Sequence, residues 1–168
     1  HLRYRDWCRI CVTCRARDEP HFDRGARLPT RTEDEVPLVE IDHTFLDQLV
    51  MMSLHCIDRK AGGATLVATK GVNDFVVRWS LRRLMEMGLT DIRLRSDQDV
   101  SCRTIAARIR AGHPHKVVVE EAPVASHQSL GGVERFHRLM QEMVRTHKQQ
   151  LEEAVGHEIK PTIGIGSW

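Results

Sequence analysis

Leu38-Val39-Glu40-Ile41-Asp42-His43-Thr44-Phe45 is the first strong strand candidate of the chain, and an acid sits inside it. Its apolar and β-branched side chains read as a buried strand. Aspartate is disfavoured in mid-strand unless something uses it. Asp42 is therefore the residue that needs a reason.

The pattern on either side of this run predicts a mixed α/β domain. After the strand at about 38–45, two more are expected at about 52–58 and 64–69, separated by the turn Asp58-Arg59-Lys60-Ala61-Gly62-Gly63. A helix is expected over about 72–87, with Phe75, Val76, Trp79 and Leu84 roughly on one face and Gly88 ending it. There follow a strand at 91–96, a helix at about 99–111 stopped by Gly112 and Pro114, and the short strand Lys116-Val117-Val118-Val119-Glu120. The stretch from Ala122 to Gly132 leads into a long helix of about 132–155. The order β-β-β-α-β-α-β-α describes a mixed sheet flanked by helices. No internal repeat or low-complexity tract interrupts it.

Composition sets bounds. A chain of 168 residues suffices for one domain with a real core. Its 25 basic and 23 acidic residues leave a net charge of +2, so overall charge alone does not indicate nucleic acid. Local charge says more: Arg3, Arg5, Arg9, Arg15, Arg17, Arg24, Arg27 and Arg31 crowd the first stretch. No apolar run approaches membrane-spanning length, and no signal-peptide pattern is present. Five cysteines, three of them clustered at Cys8, Cys11 and Cys14, argue against a secreted disulfide framework and suit reduced thiols or a metal site. The polar segment from Asp18 to Pro37, with Pro20, Gly25, Pro29 and Pro37, reads as a linker. The expected organisation is a small piece at 1–17, a linker at 18–36 and the main domain at 37–168. A start at His1 and a stop at Trp168 read as a fragment of something longer.

Three acids fall at element ends in this scheme. Asp42 lies in the first strand, Asp97 closes the strand Asp91-Ile92-Arg93-Leu94-Arg95-Ser96-Asp97, and Glu134 opens the long helix just after Gly131-Gly132. Carboxylates from two strand regions and a helix start can converge on divalent ions. Two Mg²⁺ ions about 3.5–4 Å apart activate an attacking oxygen and stabilise a leaving one in phosphodiester chemistry, and they favour hard oxygen ligands. With 23 acids available, such a set also arises by chance.

The residues around the acids carry a more specific signal. Val39-Glu40-Ile41-Asp42-His43-Thr44, Ile92-Arg93-Leu94-Arg95-Ser96-Asp97 and above all Ser126-His127-Gln128-Ser129-Leu130-Gly131-Gly132-Val133-Glu134-Arg135-Phe136-His137-Arg138 resemble the catalytic core of retroviral and retrotransposon integrases. The last run is similar to that family's Pro-Gln-Ser-x-Gly-x-Val-Glu-Arg-x-Asn-Arg signature, and the 37 positions from Asp97 to Glu134 are close to the family's interval. The resemblance covers about residues 36–155. It departs at Gln98-Asp99, where the family commonly has Asn-Gly, and at Leu130, which replaces a usually polar residue; Asp99 reads as a helix N-cap.

The resemblance implies a ribonuclease-H-like fold and a polynucleotidyl transferase that trims DNA 3′ ends and joins them to target DNA. Asp42 would bridge two Mg²⁺ (or Mn²⁺) ions, with Asp97 and Glu134 each completing one shell. Alternatives are a DNA transposase, a ribonuclease-H-like nuclease, or an inactive integrase-derived protein that only binds DNA. The implied partners are DNA and further copies of the chain, with no membrane, and the implied compartment is the nucleus if the host is a eukaryote. The family's core continues into at least one more helix, for which Pro161 to Trp168 looks like the lead-in.

Helical spacing aligns Glu134, Arg138, Gln141, Arg145 and Lys148 on one face, a stripe that suits DNA phosphates or merely a solvated surface. Gln128, in the loop before it, is a further DNA candidate. The opposite face, with Phe136, Met140, Met143, Val144 and Leu151, is expected to be core. Trp7-Cys8-Arg9-Ile10-Cys11 resembles the second half of the family's His-His-Cys-Cys zinc module. A structural Zn²⁺ needs four ligands, so Cys8 and Cys11 would need upstream partners; Cys14, His1 and His21 have no spacing to recommend them. Cys56 and Cys102 read as core, and His43 as a buried, hydrogen-bonded ring.

Overall fold

The computed structural model describes residues 5, 7–15, 36–46, 48–122 and 130–159. They fall into two compact units, one within Val36–Arg138 and one within His1–Glu35 together with Leu139–Thr162. The elements in chain order are α1 (Arg9–Arg15), β1 (Leu38–Leu46), β2 (Leu49–Cys56), β3 (Ala61–Val67), α2 (Asp74–Glu86), β4 (Ile92–Ser96), α3 (Val100–Gly112), β5 (Val117–Glu121) and α4 (Gly131–Val155). Apart from α1, this is the order expected from the sequence.

The first unit holds a five-stranded sheet in the order β3-β2-β1-β4-β5. β1 pairs antiparallel with β2, and β2 with β3. β4 runs parallel to β1, and β5 parallel to β4. This is the ribonuclease-H-like mixed sheet. β1 is its central strand, which is why its residues alternate between two covered faces. Val39 and Ile41 join Met52, Leu54, Ile92 and Leu94 in a core with Val76 and Leu84 of α2 and Ile105, Ala106 and Ile109 of α3. Each fully buried aliphatic side chain contributes about 1.5–3 kcal/mol.

The helices begin and end where short polar residues and glycine dictate. Asn73 caps α2 through its side-chain oxygen, which accepts the Val76 N–H at 2.8 Å, and Gly88 (φ 64°) terminates it. Asp99 caps α3 by accepting the Cys102 N–H, as its position predicts. The buried stripe of α2 is Val76, Val77, Ser80 and Leu84, so Phe75 (43% exposed) does not belong to it and Trp79 only borders it.

The β2–β3 turn lies earlier than expected. Lys60, at φ 50°, takes the left-handed turn position, and Gly62 and Gly63 lie inside β3. Their lack of side chain serves packing instead. A Cβ on Gly62 would lie 2.7 Å from the Leu54 carbonyl and 2.9 Å from the Phe136 ring. The glycine lets that ring rest on the sheet.

In the second unit, α1 packs along the later turns of α4. The Arg9 guanidinium meets Glu153 at 2.7 Å, and the Cys14 thiol donates to Gln149 Oε1 at 2.7 Å. Here Glu142 and Thr146 are buried, and Thr146 donates to the Glu142 carbonyl. The apolar face expected to be core is half right. Met140 and Met143 are half-buried, but Val144 and Leu151 (52%) are exposed, because α1 covers the other side of the helix.

Candidate active site

The parallel pairing of β1 with β4 sets Ile41 against Ser96, so Asp42, in the middle of β1, and Asp97, just past the end of β4, follow neighbouring positions on adjacent strands. Asp42 is half-buried and its Oδ1 accepts the His43 N–H at 2.7 Å; Asp97 is exposed just beyond β4, with Oδ1 accepting from Gln98 N–H at 2.7 Å. Glu134 is exposed in the first turn of α4.

Two contacts hold that turn against the sheet face that carries Asp42. The Val133 N–H donates to Glu40 Oε2 at 2.8 Å, and Val133 itself is fully buried. Phe136 stacks on His55, with centroids 5.1 Å apart and planes at 18°. The His137 ring is also buried in this turn; burial, aided by His43, pushes its pKa down to about 4, so it is a neutral imidazole at pH 7.

The Asp42 pKa is pushed up to about 6, first by burial and further by the negative charges of Asp97 and Glu134, against the opposing effects of the His43 amide and Lys70. Both predicted partners thus lie close enough to repel it. They are not drawn into one tight cage. Among the described residues, only His43, Asp99 and Cys102 bring three donor atoms within 4.8 Å of one another. Carboxylates held near each other repel, and an arrangement in which Asp42 is shared between two ions does not require Asp97 and Glu134 to touch. The donor set is all oxygen, which fits Mg²⁺ or Mn²⁺.

The His43–Asp99–Cys102 group lies on the α3 side of the sheet and is already engaged. His43 Nδ1 is 3.4 Å from Cys102 Sγ, and Asp99 both caps α3 and pairs with Lys70 at 3.5 Å. His43 is buried, as read from the sequence, and burial with the Asp42 and Asp99 charges pushes the Cys102 thiol up to about 12.

The remaining predicted residues divide as follows. Arg138 and Arg145 are exposed on α4, Gln141 and Lys148 are half-buried, and Lys148 pairs with Glu152 at 3.6 Å. Gln128 lies outside the described residues, as do His1, His21, most of the 18–36 segment and Pro161 to Trp168. Cys11 is buried and Cys8 half-buried at the start of α1, where the Cys11 amide lowers the Cys8 pKa. Cys14 instead faces Gln149. Sequence reasoning missed Glu40, His137 and Lys70. Glu40 had a legible signal: a second charge in the same buried strand, two residues before Asp42.

No family model and no curated protein matches the chain. Among solved structures it is similar to the catalytic core domain of BIV integrase, with 15% identity and a TM-score of 0.45, over 76% of this chain and 87% of that one. It is also similar to a chain of the simian T-cell lymphotropic virus intasome in complex with PP2A regulatory subunit B56 gamma, with 11% identity and a TM-score of 0.50. That likeness covers 74% of this chain but 45% of the other, so the chain spans less than half the length of that relative. At such identities the likeness speaks to the fold alone, the mixed sheet flanked by helices described above.

Proposed function

We propose that this chain is a retroelement integrase core, a metal-dependent polynucleotidyl transferase that trims DNA 3′ ends and joins them to target DNA. The reading is supported by the β1–β4 register, which sets Asp42 next to Asp97, and by the hydrogen bond from Val133 to Glu40, which brings the start of α4 with Glu134 onto the same strand. A half-buried carboxylate facing two more acids is unfavourable by itself and becomes favourable around cations. Asp42 would be the shared ligand, with Asp97 and Glu134 each holding one Mg²⁺ or Mn²⁺. When bound, such ions activate an attacking oxygen and stabilise the leaving one.

The chain's own groups do the rest. Asp42 is mostly ionised at pH 7, and Lys70 balances part of its negative charge. Arg138, Arg145 and Lys148, with Gln141 beside them, offer a basic face to DNA phosphates, and Gln128 in the preceding loop meets the DNA. Residues 1–17 are read as part of a zinc module in which Cys8 and Cys11 supply two of four Zn²⁺ ligands. Residues 18–36 are read as a linker, and 37–168 as the core. The acting form is an oligomer on DNA, in the nucleus of a eukaryotic host. Among the described residues no helix is long and apolar enough to cross a membrane.

The test is metal-dependent end trimming and strand transfer on element-end DNA, by this chain and by a longer form of the protein. Glu134→Gln should lose both activities while the fold survives. Retained turnover in that variant sinks the assignment. Cleavage without joining would favour a ribonuclease-H-like nuclease or a transposase, and binding without either would favour an inactive DNA-binding protein.

A further inference from the structure

Glu40 is a charged residue in the middle of the central strand, and only 1% of it is exposed. Burying a carboxylate is costly unless donors surround it. Its donors come largely from one place. The Val133 N–H reaches Oε2 at 2.8 Å, beside the preceding glycine of the helix start. Arg95, its neighbour across β1–β4, stands at 3.8 Å and passes its other arm to Glu120 at 3.0 Å. The first backbone N–H groups of a helix have no partner within it and present a partial positive charge. Glu40 thus caps α4 from another element, across 93 positions of sequence.

The cap also explains a glycine. A Cβ on Gly132 would lie 2.6 Å from Glu40 Oε2 and 3.0 Å from the Ile57 side chain. A side chain here would push the Glu40 carboxylate or the Ile57 side chain out of its place. Gly131, its neighbour, meets nothing within 4 Å and carries no such constraint.

We infer that Glu40 is the positioning residue that seats the start of α4 on β1 and so fixes Glu134 relative to Asp42. This rests on the proposed metal-dependent reading of the acids. Glu40 lies two residues before Asp42 on the same strand face, and Val133 immediately precedes Glu134. One hydrogen bond therefore closes a short path between two metal ligands from distant parts of the chain. Ligand sets tolerate displacements of only about 0.5 Å.

The experiment uses the full chain with Mn²⁺ and element-end DNA and compares Glu40→Gln, Glu40→Asp, Glu40→Ala and Gly132→Ala. Glutamine keeps both reach and an acceptor oxygen; aspartate keeps the charge but falls short of Val133. Glu40→Ala and Gly132→Ala should lower Mn²⁺ affinity and kcat roughly 10–100-fold with KM for DNA unchanged, as losses behind a metal ligand do. Glu40→Gln should restore most of the loss and Glu40→Asp should not. The reverse order would mean that Glu40 acts only through its charge, and would overturn the proposal. So would wild-type metal binding and kcat in Glu40→Ala. If Glu40→Ala does not fold, Gly132→Ala decides, since the glycine change leaves the carboxylate in place. Hydrogen exchange at the Val133 amide gives a readout independent of catalysis. It should accelerate in Glu40→Ala, and unchanged protection would overturn the seat. An inactive wild-type protein that binds no Mn²⁺ would instead refute the functional reading, leaving the exchange result to judge the seat by itself.

Discussion

Ile41 and Ser96 are partners in the parallel β1–β4 ladder, so Asp42, still within β1, and Asp97, just past β4, lie one step further on along adjacent strands. That register, rather than any local motif, makes a pair of two acids far apart in sequence. The repulsion it creates at Asp42 has measurable consequences.

Asp42→Asn should abolish metal-dependent turnover and at the same time raise the melting temperature of the metal-free protein at pH 7. It removes a half-buried charge that Asp97 and Glu134 both disfavour. The melting temperature should no longer respond to Mg²⁺ or Mn²⁺. Thermal unfolding with and without metal checks both halves; a variant less stable than wild type without metal would refute the repulsion.

The pH dependence follows from the direction of the same shift. Asp42 has a folded-state pKa of about 6, above its ordinary 3.8, so the folded chain holds this proton more tightly than the unfolded one. Its contribution to metal-free stability is therefore greatest below about 4 and is lost as pH rises through about 6. Cations compete with that proton. Mg²⁺ or Mn²⁺ should raise the melting temperature clearly at pH 7 and little at pH 5. An equal rise at both values would mean that Asp42 is not a ligand.

DNA binding should weaken steeply with salt, because phosphate contacts release counterions. Replacing Arg138, Arg145 and Lys148 together should flatten the slope by roughly one unit per lost contact. Lys148 should contribute least, since it must leave Glu152 to reach a phosphate. An unchanged slope in the triple variant would return the stripe to an ordinary solvated face.

Gly62→Ala and Gly131→Ala should have opposite signs. A methyl at Gly62 meets the Leu54 carbonyl and the Phe136 ring, and overpacking of this kind costs about 1–3 kcal/mol. At Gly131 there is open space, and alanine in a helix gains up to about 1 kcal/mol over glycine. Chemical denaturation of the two variants tests this. A neutral Gly62→Ala would mean that Phe136 does not depend on the gap.

The order of elements was legible because periodicity and punctuation are local. Asn73, Gly88 and Asp99 mark helix ends by the hydrogen bonds and dihedral angles they favour. What was misread depends on partners far away in the chain. Gly62 and Gly63 look like a turn until Phe136 and Arg83 are seen filling the space above them. Val144 and Leu151 look like core until α1 is found on the other side of the helix. The three acids were visible from a signature run, but Glu40, which anchors the helix under one of them, was passed over as strand context. A buried charge reveals its purpose only when its donors are known, and these donors begin 93 positions later.

The cap from β1 to α4 also bears on when the molecule becomes competent. Contacts of such long range form late, because closing the intervening loop costs entropy before any contact rewards it. A chain emerging during synthesis can pair β1 with β2 and β3 early, since those hairpins are local. It cannot set Glu134 beside Asp42 until α4 exists and docks. Partly folded molecules should therefore carry a nearly complete sheet while Glu134 is still undocked.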